Sequence, residues 1–230
     1  MDETNTHSER GDRGDATRRA LIEAAIAEFA RNGFHAVSTR QIAHSAGANQ
    51  ALIGYHFGGK EGLYLAVFQF ISEQVQARVG SAIGPIEAYL SQLQTDAVLT
   101  RPQREHCIAH LLQLVEGIVR LHTDPRTTPW MQLIMREQQS PTKAFDILYE
   151  GFMSRYLGIV TWLIQCLRPE LSRDEAALGV MTLLGQILVF RVARSTLLRH
   201  MAWPDVGPAQ VELILKQIKA NLTAMLNSRD

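Results

Sequence analysis

Strict alternation of apolar and polar residues is missing from this 230-residue chain, and without a period of two there is no convincing β-strand. Cysteine is nearly absent. The two present, Cys107 and Cys166, lie in apolar helical surroundings, which argues against a disulfide scaffold and suits small core residues in a reducing compartment. No apolar run marks a signal peptide near the start; "MDETNTHSERGDRGD" is polar throughout and reads as a disordered tail over residues 1–15. The longest apolar runs, such as "LGIVTWLIQCL", have about half the length a bilayer requires. A soluble, cytoplasmic protein with no membrane partner is expected. Neither sign of charge prevails: 23 Lys and Arg balance 23 Asp and Glu, so net charge does not point to an acidic partner. Nucleophile motifs, glycine-rich phosphate loops and zinc-finger cysteine spacings are also missing. The expectation is no enzyme, no cofactor and no metal.

Helical periodicity is what the chain has in quantity, and it predicts an all-α fold. Leu21, Ile22, Ala25 and Phe29 stripe a first helix over about 17–32, which Gly33 stops. Ser38 with Gln41 has capping-box spacing and opens a second helix ending near Ala46. A short helix over 49–56 follows the turn at Gly47, "GGK" breaks the chain, and a long helix covers about 60–79. "GSAIGP" is another break, and "IEAYLSQLQTDAVL" is expected to form a short helix. Further helices are expected at about 102–122, 127–138, 141–167, 172–199 and 207–227, with Ser140-Pro141 capping the third of these.

The helix over 38–46, Gly47 and the helix over 49–56 have helix-turn-helix proportions. At 100° per residue, Ile53 and Phe57 point inward. Ala51 and Tyr55 point outward, flanked by Leu52 and Gly54, with Gln50 at the exposed N-terminal end. Such a helix fits either a DNA major groove or a tight hairpin in a core. Residues 16–60 carry five Arg and Lys against two Glu, a weak nucleic-acid signal.

The stretch "TRRALIEAAIAEFARNGFHAVSTRQIAHSAG…YHFGGKEGLYLAVF", residues 17 to 68, resembles the DNA-binding domain of TetR/AcrR transcriptional regulators. "MREQQSPTKAFDILYEGF", 135 to 152, is similar to the CecR-type subgroup. The resemblance implies three parts: a tail over 1–15, a three-helix helix-turn-helix domain over 16–62, and a helical ligand-binding and dimerisation domain over 63–230. It implies that Thr39 touches a phosphate and Arg40 a base or phosphate. Gln50, Ala51 and Leu52 would face bases, with Asn49 and Gly54 beside them. Tyr55 and His56 would meet backbone and bases from the far end, and Lys60 a phosphate. Two positions depart from the family's common pattern: a polar residue is frequent where Leu52 stands, and a tyrosine where Gly54 stands.

In the second half, His106 and His110 sit at i and i+4, a spacing that can hold a metal but that two residues do not complete. Stripes run along 172–199 (including Leu183, Gln186 and Phe190) and 207–227 (including Leu215, Ile218 and Leu222). Core packing alone could account for both; the resemblance implies that they pair with their copies in a four-helix homodimer interface. Trp130, Met131, Ile134, Met135, Met153 and Trp162 are large adaptable side chains, core by default. The resemblance implies that some line a small-molecule effector pocket. Few charges lie nearby, and Arg136 and Glu137 are expected to orient a polar group of the ligand. The function implied is a ligand-responsive repressor that binds double-stranded, pseudo-palindromic operator DNA as a homodimer. The rival is a helical enzyme or small-molecule carrier using the central pocket.

Overall fold

The structure, a computed structural model, describes residues 3–93 and 99–227, with side-chain detail from Gly14 onward. Twelve α-helices and no strand occur among the described residues: α1 (Glu3–Asn32), α2 (Thr39–Ser45), α3 (Ala51–Phe57), α4 (Lys60–Val79), α5 (Ile83–Leu90), α6 (Arg101–Thr123), α7 (Thr128–Gln139), α8 (Lys143–Leu148), α9 (Ser154–Leu167), α10 (Arg173–Val192), α11 (Arg194–Met201) and α12 (Pro208–Asn227). The all-α expectation is met.

The helices start where side chains can close them. Ser38–Gln41, Thr100–Gln103 and Ser172–Glu175 each form a complete capping box, in which the two residues satisfy one another's backbone N–H. Four expectations differ from the structure. Residues 3–15, expected as a tail, continue α1 upstream. The packed second half of the helix supplies the nucleus, and extending it adds one hydrogen bond per residue fixed, even past Gly11 and Gly14. The helix expected over 141–167 begins later, because Thr142 rather than Ser140 is its cap, and a π-helical segment at Tyr149–Met153 divides it into α8 and α9. The helix expected over 172–199 breaks at Ala193 (φ −100°, ψ 29°), leaving α10 and α11; neither Gly nor Pro marks the break. α5 starts three residues earlier than expected, with Pro85 tolerated in its first turn, and the expected extension through 94–98 lies outside the described residues.

The chain forms two compact units, and the division does not follow the expected boundary after residue 62. The first comprises Met1–Gln74 and Thr128–Gly151, so α7 and α8 group with the helix-turn-helix segment. Its core holds Leu21, Ala25, Phe29, Ile42, Ile53, Leu63, Val67, Phe68 and Leu133, each at most 1% exposed. Phe29, Phe34, Tyr64 and Phe68 interlock mostly edge-to-face, with centroids 4.8–5.8 Å apart. The second unit comprises Val75–Thr127 and Phe152–Asp230. There α6, α9 and α10 pack against one another and α12 packs against α6 and α10, around Leu111, Leu114, Val115, Leu163, Leu183, Leu215, Ile218 and Leu222.

Candidate nucleic-acid interface

The α2–turn–α3 segment is held from beneath and open above. Ile42 and Ile53 anchor the two helices in the core. Gly47 makes the turn at φ 63°, a backbone that L side chains rarely adopt. The Asn49 side chain accepts a hydrogen bond from Ala51 N (2.9 Å) and so opens α3, taking a structural task beside its expected DNA-facing one. At the far end Gly58 closes α3, and α4 then turns back so tightly that a Cβ on Gly62 would lie 1.8 Å from the Phe57 carbonyl oxygen. Only glycine fits at that crossing.

The side chains expected to meet DNA stay on the open side. Arg40, Asn49, Gln50, Ala51, Gly54 and Tyr55 are exposed; Thr39, Leu52, His56 and Lys60 are half-buried. Gln50 Nε2 donates to Thr39 Oγ1 at 3.0 Å, joining the first residue of α2 to the residue before α3. Tyr55 is 83% exposed, and its ring meets His56 edge-on at 5.0 Å. A Cβ on Gly54 would meet nothing within 4 Å, so the bare spot leaves room for whatever approaches α3. Lys60 lies with its ammonium 4.6 Å from the centroid of the Phe34 ring and donates to His35 O at 3.4 Å. Arg40 has no partner among the described residues.

Residues 21–67 match the bacterial regulatory proteins of the tetR family, and residues 107–229 match the C-terminal domain of the HTH-type transcriptional dual regulator CecR. CecR of Shigella flexneri is 31% identical over 215 residues, 93% of each chain. The chain is a TetR-family transcriptional regulator of the CecR type. It is a regulator and not an enzyme, as its relatives are. Among solved structures, a TetR-family regulator from Streptomyces coelicolor matches with a TM-score of 0.61 at 16% identity, covering 98% of this chain and 95% of its own. AibR, solved with isovaleryl coenzyme A and operator DNA, matches with a TM-score of 0.60 at 16% identity, covering 91% and 97%. At those identities the likeness concerns the fold.

Other expected residues of this TetR-family chain make contacts within the fold. Arg136 and Glu137, expected to orient a ligand, also carry structural hydrogen bonds. Arg136 donates to the Phe29 and Ala30 carbonyls at 3.1 and 2.9 Å, closing the C-terminal end of α1. Glu137, 2% exposed, accepts from Tyr64 Oη (2.9 Å), Thr142 N (2.9 Å) and Thr142 Oγ1 (2.9 Å). Burial and the Glu137 hydrogen bond both push the Tyr64 hydroxyl well above its ordinary pKa. Trp130 meets Phe70 edge-on at 6.4 Å, and Met131 and Ile134 are buried; Met135, Met153 and Trp162 are half-buried. Trp130, Met131, Ile134 and Met135 belong to the first unit, Met153 and Trp162 to the second. The Tyr89 ring lies 5.6 and 5.2 Å from the rings of His106 and His110, and the described residues hold no group of three metal-ligating side chains. Cys107 is buried, which pushes its thiol up to about 11, far from a reactive thiolate.

Most of the stripe residues expected to meet a second copy lie inward. Leu183, Leu215, Ile218 and Leu222 are 1–4% exposed and fill the chain's own core, because they lie on the inward faces of α10 and α12. Phe190 is half-buried. Gln186 is exposed and bridges the two helices by accepting from Asn221 (2.9 Å), which itself accepts from Gln217 (2.8 Å). The free apolar surface is on the opposite face of α10, where Leu178, Met181, Val189 and Val192 are 48–66% exposed, with Leu213 of α12 at 55%. The clue in the sequence was that α10 is apolar all round. It is long and apolar enough by length and composition to cross a membrane, unlike the shorter runs considered from the sequence.

Proposed function

We propose that this regulator works in the cytoplasm as a homodimeric repressor that reads a pseudo-palindromic operator and is released by a small hydrophobic or amphipathic effector. The observation that carries the reading is the outward face of α3, with Gln50 braced by Thr39 and open space at Gly54. A helix so exposed at its N-terminal end suits insertion into the major groove, where amide side chains read adenine edges. Thr39, Arg40, Tyr55, His56 and Lys60 then contact the backbone at its two ends, and Ala51 and Leu52 pack against bases. DNA reading resides in residues 16–62, sensing and dimerisation in residues 63–230, with α7 and α8 bracing the reader.

Pairing through the outer face of α10 and Leu213 of α12 supports the two-fold arrangement. An apolar helix face with no cover in one chain is the expected partner surface of a symmetric dimer. Met153 and Trp162 are the effector candidates in the second unit. The acyl thioester held by AibR supports an amphipathic effector here. The CecR relative is a dual regulator, so here the position of the operator relative to the promoter sets the sign of regulation. Selection of bound sequences from random double-stranded DNA tests the reading. Two-fold symmetric half-sites about 34–36 Å apart, or a multiple of that, support it; recovery of no enriched sequence overturns it.

A further inference from the structure

A cleft of about 570 Å³ opens within the first unit, between the α1–α2 connection, the start of α4 and the α7–α8 pair. That volume is within the range of small-molecule sites. Its apolar lining comes from Phe34, Tyr64 and Leu65. Tyr64 presents only its ring there, because its hydroxyl is committed to Glu137. The α7–α8 wall is cationic. Lys143 has no partner among the described residues. Arg136 donates to two neutral carbonyls and Glu137 accepts from three neutral donors, so both keep their charges and Lys143 gives this wall a net single positive charge. The wall depends on a bare backbone: a Cβ on Gly33 would lie 2.7 Å from Arg136 Nη1. Glu61, on α4, is the one unpaired carboxylate lining the cleft among the described residues.

We propose that this cleft is a binding site for a small amphipathic organic anion, whose occupancy weakens operator binding through Lys60. The apolar body lies on Phe34, Tyr64 and Leu65, and the anionic head faces Lys143 and Arg136. The coupling is local. Phe34 and His35 line the cleft and also hold Lys60, by the 4.6 Å ring contact and the 3.4 Å hydrogen bond. A body packed against Phe34 fixes this loop, and the ammonium must leave it to reach a phosphate. This step rests on the reading that Lys60 contacts DNA; the cleft itself does not.

The test uses the full-length protein and 8-anilinonaphthalene-1-sulfonate, an amphipathic aromatic anion that fluoresces in apolar sites. Lys143→Glu is expected to weaken dye binding about tenfold, the scale of reversing one charge near a surface site. Ser140→Trp fills the cleft from an exposed position and is expected to abolish it. Circular dichroism and the affinity for a selected operator should stay unchanged in both variants without dye. Wild-type dye affinity in both variants places the dye elsewhere and overturns the site. In the second arm, dye is expected to lower wild-type operator affinity about fivefold, within the usual range of allosteric coupling, and to have no effect on Lys60→Ala. An operator affinity indifferent to dye in wild type overturns the coupling. Failure to select any operator would instead sink the DNA-binding reading and leave the dye arm to judge the cleft.

Discussion

Glutamates at Leu178 and Val192 together should split the dimer without unfolding the chain. The five exposed side chains of the outer face, Leu178, Met181, Val189, Val192 and Leu213, are 48–66% exposed in one chain. Fully burying such a side chain is worth about 1.5–3 kcal/mol, so covering what remains contributes about 4–9 kcal/mol per protomer and twice that in a symmetric pair. Association costs about 4–15 kcal/mol, so the stripe is sufficient for a stable dimer without a large surplus. Leu178→Glu with Val192→Glu removes about 2–4 kcal/mol per protomer before the cost of desolvating the carboxylates. The dimer dissociation constant should therefore rise by about a thousandfold or more. Sedimentation velocity across a concentration series reads this directly, with circular dichroism to show that the monomer stays helical. Leu183→Glu is the contrasting variant. At 4% exposure Leu183 belongs to the core, and its charge should unfold the chain rather than dissociate it. A double variant that sediments as an intact dimer at low protein concentration would refute the assignment of this face.

Further outcomes follow from single residues. Gln50→Ala loses the 3.0 Å bond to Thr39 and should weaken specific operator binding by about 1–3 kcal/mol, relaxing preference at one base pair; Lys60→Ala should weaken all sequences alike and lower the salt slope by about one unit, both read by fluorescence anisotropy. Gly54→Ala should raise thermal stability by about 0.5–1 kcal/mol, since its Cβ meets nothing, and any loss of operator affinity would then report close approach of DNA to α3. Gly62→Ala should destabilise by about 1–3 kcal/mol in thermal unfolding, because its Cβ collides with the Phe57 carbonyl. Burial holds His122 below the ordinary histidine value, with the Arg191 charge adding to it, and burial does the same to His110. On acidification the unfolded chain takes up these protons first, near pH 6.5, so stability is present above that value and falls as the pH drops below it. Urea midpoints at neutral and mildly acidic pH measure the slope, which His122→Gln should flatten; an unchanged slope would count against His122.

The reader was largely legible in the sequence because its determinants are local. Ser38 and Gln41 are three residues apart and Gly47 marks its own turn. Ile53 and Phe57 lie on one side of α3 by helical arithmetic alone, although Phe57 is only half-buried. The tasks of Arg136 and Glu137 were not legible, since their partners Phe29, Ala30 and Tyr64 lie 73–107 residues away. The break at Ala193 had no Gly or Pro to announce it. Which face of α10 is buried within the chain was not legible either, because both faces are apolar. Periodicity identifies an apolar face where one exists; when a helix has two, only the packed structure tells which is already covered.

The Arg136 clasp on α1 makes the reading head a late product of synthesis. Its donor leaves the ribosome more than a hundred residues after the Phe29 and Ala30 carbonyls it closes. A nascent chain that has emerged only as far as α4 lacks that clasp, the Glu137 anchor for Tyr64, and the α7 surface on which α1 packs. Hybrid regulators spliced just after residue 62 would place a foreign α7 against this α1, mismatching guanidinium, carboxylate and tyrosine together. A graft intended to keep the head intact must carry residues 128–151 with it, so this head is portable only as a discontinuous part.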